Sequence, residues 1–119
     1  MTDQRISAYA KGVLGETRAC DYLCKRGMIL LEQRYHSPFG EIDLIMRDGE
    51  TVVFVEVKLR ERGRAHDGFA AITPVKRRRL LQTAQCYITE HALDCPMRFD
   101  ALEITRDGIC HLPNVLLDS

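Results

Sequence analysis

The sequence predicts a mixed α/β (α+β) fold, a central mixed β-sheet flanked by α-helices with the element order α-β-β-β-α-β-β. Three observations carry that expectation: apolar residues at helical spacing near the N-terminus, an Asp48-Gly49 turn between two β-patterned runs, and a Thr73-Pro74 helix start after them. A chain of 119 residues, 45% apolar and 29% charged, suits one soluble globular domain over residues 1–119, its core running from about 7 to 113 before a short loose C-terminal tail.

The first helix is expected over residues 7–26 and is stopped by Gly27. Tyr9, Val13, Ala19, Cys20, Leu23 and Cys24 share one side, Lys11, Arg18, Asp21 and Lys25 the other, and Glu16 interrupts the apolar stripe. Residues 28–35 read as a strand, followed by a loop containing Ser37-Pro38-Phe39-Gly40. Runs 41–47 and 51–58 form a hairpin, because Asp and Gly both tolerate the positive φ of a tight hairpin turn. Residues 59–72, rich in Arg and Gly, read as an exposed mobile loop. Thr73 is the N-cap and Pro74 the first residue of a second helix, whose apolar face is Leu80, Leu81, Ala84, Tyr87 and Ile88 and which ends near residue 92. Residues 97–105 alternate as a strand, Arg106-Asp107-Gly108 turns the chain, and 109–112 closes the sheet.

No apolar run approaches the roughly 20 residues needed to span a bilayer, and the N-terminus lacks a signal peptide's apolar stretch, so a cytoplasmic protein without a membrane partner is expected. Five cysteines without a CxxC pair read as reduced thiols. A zinc site from Cys20, Cys24, His91 and Cys95 has the right ligand types, but i,i+4 spacing is equally what core residues share. Seventeen basic and seventeen acidic residues cancel, yet Lys58, Arg60, Arg62, Arg64, Lys76, Arg77, Arg78 and Arg79 cluster against Glu61 and Asp67 alone. Such a basic segment attracts phosphates locally, because distant charges are screened beyond about 8 Å at physiological salt.

The hairpin acids carry the chemistry. Glu56 and Lys58 share one face of an otherwise apolar strand, as do Glu41 and Asp43 on its neighbour. With Asp48-Gly49 as the two loop residues, Arg47 opposes Glu50, Asp43 opposes Phe54, and Glu41 faces Glu56, so three carboxylates and the Lys58 ammonium converge on one face. A three-residue loop would instead send Asp43 to the other face. Crowded carboxylates call for a raised pKa, a basic neighbour or a bound cation, and magnesium is typically held by one or two carboxylates with waters and phosphate oxygens. Glu16, from the first helix, points toward the same sheet.

Asp43 followed by Glu56-Val57-Lys58, with Glu16 in the preceding helix, resembles the PD-(D/E)xK nuclease superfamily and its Holliday-junction-resolvase-like members. The chain looks most like the small bacterial YraN family of endonuclease-like proteins. That resemblance runs through Gly12-x-x-Gly15-Glu16, Tyr22-Leu23 and Gly27, Gly40-Glu41-Ile42-Asp43-Leu44-Ile45, Val53-Phe54-Val55-Glu56-Val57-Lys58 with Arg60, Lys76, Ala84-x-x-Tyr87 and Arg98-Phe99-Asp100. It implies a restriction-endonuclease-like fold and a magnesium or manganese site made by Asp43, Glu56 and the backbone carbonyl of Val57. By the same resemblance Lys58 assists the attacking water, Glu16 completes the acidic cluster, and the protein is a metal-dependent endonuclease acting on branched or structured DNA as a homodimer. Arg60, Arg62, Arg64, Lys76, Arg77, Arg78 and Arg79 would hold the DNA backbone. Ile42 stands where the superfamily pattern has Pro, and Leu59 where it has a small polar residue. The alternative is a nucleic-acid-binding or partner-binding module with a nuclease-like fold and no catalysis.

Overall fold

The computed structural model describes residues 8–59 and 73–116, with side chains from residue 14 onward in the first helix. The expected loop over 59–72, with Arg60, Arg62 and Arg64, therefore lies almost wholly outside the described residues. The elements are α1 (Ala8–Lys25), β1 (Ile29–Ser37), β2 (Gly40–Asp48), β3 (Thr51–Leu59), α2 (Pro74–Glu90), β4 (Met97–Thr105) and β5 (Gly108–Leu112). This is the expected α-β-β-β-α-β-β order and a restriction-endonuclease-like α/β fold. Among the described residues no helix is long and apolar enough to cross a membrane.

The five strands lie in the order β1-β2-β3-β4-β5. All neighbours are antiparallel except β3 and β4, which are parallel because α2 carries the chain back across the sheet. Each sheet face is covered by a helix. Ala19, Cys20 and Leu23 of α1 pack on Leu44, Met46, Val53, Val55, Leu102 and Ile104, and Ala84 and Tyr87 of α2 pack on Tyr35, Ile42, Ile45, Val52 and Phe54. Burial on both faces explains why β3 reads Val52-Val53-Phe54-Val55 without alternation. Thr73 caps α2 as expected, its hydroxyl accepting the Lys76 N–H at 3.1 Å with Pro74 in the first turn.

The hairpin turn sits one residue later than expected. Asp48 pairs with Thr51, so Gly49 and Glu50 are the loop residues, and Arg47 faces Val52 rather than Glu50. Gly49 takes φ +65° while Glu50 stays at negative φ, the pattern of a turn with Gly at its first central position, so Gly rather than Asp supplies the left-handed residue. Phe54 consequently pairs with Ile45 rather than Asp43. Because the turn moved one residue along both strands, the sidedness of every pair is unchanged. Beyond Pro113, where a loose tail is expected, residues 114–116 are tied to β4: the Asn114 N–H donates to Asp100 at 3.1 Å and the Val115 N–H to the Phe99 carbonyl at 2.8 Å.

Candidate acidic site on the second and third strands

The β2–β3 ladder ends at the Leu44–Val55 pair, one residue short of Asp43 and Glu56. There the strands separate, and a side chain replaces the backbone bond: the Val57 N–H donates to Asp43 Oδ2 at 2.7 Å. Asp43 and Glu56, with Glu41, line the same narrow cavity of about 40 Å³, closed by Leu80 of α2, Phe99 and Asp100 of β4, and Val115 and Leu116. The space suits a water-sized ligand. The two carboxylates that the hairpin register brings together are therefore on one wall of one cavity.

Glu56 is bracketed by two lysines. Its carboxylate pairs with Lys58 Nζ at 3.2 Å and also with Lys76 Nζ from the first turn of α2. Burial and the neighbouring Lys76 push the Lys58 ammonium below its ordinary pKa. For Lys76 burial acts the same way, but the bonds to Glu56 and Lys58 outweigh it and its pKa is raised. Lys76 thus belongs to the acidic cavity as much as to the basic helix face on which its sequence neighbours lie.

Glu16 approaches from α1 and is held by Arg34, whose Nε donates to Glu16 Oε1 at 2.9 Å. Burial raises the Glu16 pKa, with a further push from Glu41, against the pull of Arg34. Arg34 is the residue sequence reasoning missed. It occupies β1 at φ +53°, a conformation that costs an L-residue roughly 1 kcal/mol or more, just after a bulge between Leu30 and Glu32. Neither the bulge nor the left-handed backbone has a sequence signal in a run of strand-forming residues. Only the basic residue itself, facing an unexplained Glu in a helix stripe, hinted at a partner.

Electrostatically the acids act as a set. Burial first, then Glu16, Glu56 and Glu41, push Asp43 up to about 6, opposed by the Val57 bond. Among the described residues, however, no three His, Cys, Asp or Glu side chains are grouped to hold one metal ion. Glu41 does not face Glu56 as the expected register had it: the residue lines the cavity with Asp43 and Glu56, but its exposed carboxylate lies 3.9 Å from His36. The cysteines are free thiols, and the Cys20, Cys24, His91 and Cys95 set forms no metal group either. Two carboxylates lining one cavity are nevertheless oxygen donors of the kind that hard divalent cations accept. Their crowding is what such a cation would relieve.

The other expected site residues divide. Arg78 and Arg79 are exposed on α2, available to an external anion. Arg77 donates from Nη2 to the Leu116 carbonyl at 3.2 Å and so helps to secure the tail over the cavity. Of the family-motif residues, Ala84 and Tyr87 are core: Tyr87 packs edge-on against Tyr35 and Phe54 with ring centroids 5.2 and 6.1 Å away. Asp100 is 1% exposed and takes bonds from Arg98, His111 at 2.8 Å and the Asn114 amide, a structural junction.

Comparison with known proteins agrees with this frame. The profile described as uncharacterised protein family UPF0102 matches residues 15–104, most of the chain and every element from α1 to β4. The chain belongs to the UPF0102 family. A UPF0102 protein of Nitrosococcus oceani is 46% identical over 99 residues, covering 82% of this chain and 80% of its own. UPF0102 protein NE0719 of Nitrosomonas europaea is 46% identical over 99 residues (83% and 84%), and the Chromohalobacter salexigens protein 39% over 105 residues (88% and 85%). UPF0102 is the YraN family of the sequence resemblance, PD-(D/E)xK-like in its fold. The match begins at Gly15, beside Glu16, and includes Arg34, Asp43, Glu56, Lys58 and Lys76, so each charged group described around the cavity lies within the UPF0102 region.

Proposed function

We propose that this UPF0102 protein is a magnesium- or manganese-dependent endonuclease that hydrolyses phosphodiester bonds in DNA, with branched or otherwise structured DNA as substrate. The observation that carries the reading is the pairing of a crowded carboxylate, Asp43 pushed up to about 6, with a Glu56–Lys58 ion pair on the next strand. Asp43, Glu56 and the Val57 carbonyl would hold the cation. Bound there, it would supply the charge that polarises the scissile phosphate and activates water.

The chain's own residues supply the rest. Lys58 places positive charge beside the cavity where negative charge grows on the phosphate and helps to orient the attacking water. Lys76 offers a second ammonium from α2. Glu16, positioned by Arg34, holds negative potential at the edge of the cluster and sharpens its preference for a cation. Arg78 and Arg79, with Arg60, Arg62 and Arg64 before the helix, grip the backbone without reading sequence, which suits a structure-selective enzyme.

A second reading, a binding module without catalysis, is favoured by one observation: Glu56 already has two ammonium partners and needs no metal for neutrality. Cleavage assays on single-stranded, duplex, flap and four-way-junction DNA with manganese separate the two. The nuclease reading expects wild type to cut at least one substrate. Lys58→Ala should lose turnover yet keep manganese-dependent DNA binding, and Asp43→Asn should lose both. Wild type that binds but cuts nothing, with or without metal, leaves the binding module.

A further inference from the structure

We propose that the β1–β2 hairpin tip is a stacking site for an unpaired nucleobase, with Phe39 as the platform. The inference rests on the nuclease reading and deepens it, making DNA with single-stranded character the substrate class of the acidic cavity.

Phe39 keeps 44% of its surface exposed at the tip of a hairpin whose last pair is Ser37 with Gly40. An exposed apolar residue alone means little. Here the tip is held in place: the Phe39 N–H donates to Ser37 Oγ at 3.0 Å, and that hydroxyl bonds Thr83 Oγ1 of α2, also at 3.0 Å. Thr83 is fully buried, so the tip is anchored to the core rather than free to fold its aromatic ring inward. Gly40 completes the clamp at φ +155°, where an added Cβ would meet Thr83 Oγ1 at 3.4 Å and Arg79 Cβ at 3.9 Å.

The ring borders a polar cleft on one side and a mainly apolar one on the other. On one side an open cleft of about 560 Å³ is lined by Phe39, His36, Glu41, Arg79 and Gln82. On the other, Phe39 borders a second cleft with Gln85 and Thr89. Glu41 lines both the first cleft and the cavity of Asp43 and Glu56, so a strand bound at Phe39 leads toward the acids. Beside the platform stand the Arg79 guanidinium, the amides of Gln82 and Gln85, and the carboxylates of Glu41 and Glu90: the ring stacks on the base, and Arg79 meets the backbone. In a duplex the bases are already stacked on one another and the platform has nothing to take.

The sequence contains no tryptophan, so Phe39→Trp installs a single fluorescent reporter. All variants are made in the Lys58→Ala background with manganese, so that DNA is bound and not consumed. Flap DNA with an unpaired arm should quench the Phe39→Trp fluorescence, while blunt duplex at equal occupancy should not. Phe39→Leu, which keeps apolar bulk without the π face, should lower flap affinity about tenfold and leave duplex affinity and its salt dependence unchanged. Phe39→Tyr should restore flap binding. Unchanged flap affinity in Phe39→Leu, or equal loss on flap and duplex, overturns the stacking site while leaving the nuclease reading to the cleavage assay. Absence of binding to every DNA overturns both.

Discussion

The Val57 amide donates to the Asp43 carboxylate at 2.7 Å, bridging the point where β2 and β3 stop pairing. One bond thus fixes Asp43 against the backbone of the residue between Glu56 and Lys58. It satisfies one carboxylate oxygen of a residue that lines the shared cavity. An asparagine can accept the same amide, which separates the structural role of this side chain from its charge.

That separation gives a pH prediction. Asp43 titrates near 6 in the fold and near its ordinary value of 3.8 when unfolded. Between these values the folded chain keeps a proton that the unfolded chain has released, so stability falls as pH rises from about 4 to about 6 and stays lower above. Asp43→Asn should remove this slope and, allowing for partial exposure, gain about 2 kcal/mol near neutral pH. Urea unfolding across that range measures it. Parallel profiles for both proteins would place the strain elsewhere.

Manganese should reverse the same cost. A cation held by Asp43 and Glu56 in the folded chain alone stabilises it by mass action, about 2.7 kcal/mol at a hundredfold excess over its Kd. Thermal melts near neutral pH should therefore rise with manganese in wild type and respond little in Asp43→Asn. If neither melt moves, the carboxylates do not hold metal.

Asp100 should behave oppositely. Burial alone would raise its pKa, but His111, Arg98 and the Asn114 amide outweigh it and hold the carboxyl below its ordinary range. Its contribution to stability is therefore present above the unfolded pKa and lost as pH falls through the lower folded value. Asp100→Ala takes a buried acceptor from His111 and leaves Arg98 with Asp48, 3.2 Å from its Nη2, and should cost about 3 kcal/mol or more, with no manganese dependence. Chemical denaturation of this variant beside Asp43→Asn distinguishes a structural acid from a functional one. A cost below about 1 kcal/mol would refute the structural assignment.

Arg78 and Arg79 test the DNA grip. Their joint replacement by Ala should weaken binding alike across sequences and lower the slope of log affinity against log salt by about one per lost phosphate contact. Arg77→Ala should instead act on the tail, since its guanidinium donates to the Leu116 carbonyl. Binding isotherms at several salt concentrations decide, and an unchanged slope in the double variant returns both arginines to solvated surface.

The sequence by itself determined the elements, the covering of the sheet by helices, and the face shared by Asp43, Glu56 and Lys58. These are local or periodic properties: turn chemistry, helical spacing and strand alternation. The misplaced turn did no harm to the face, since moving it from Asp48-Gly49 to Gly49-Glu50 shifts both strands together and side chains alternate with period two. Contacts between distant segments needed the tertiary structure. Lys76 reaches Glu56 across 20 positions, Arg34 reaches Glu16 from a left-handed strand residue, and Arg77 meets the tail carbonyl. Each depends on where a long side chain lands once two elements pack, and on a bulge and a backbone conformation that no local pattern encodes. Fold and shared face were legible because they repeat along the chain, whereas the partners that tune the acids were not, because each is a single long-range meeting.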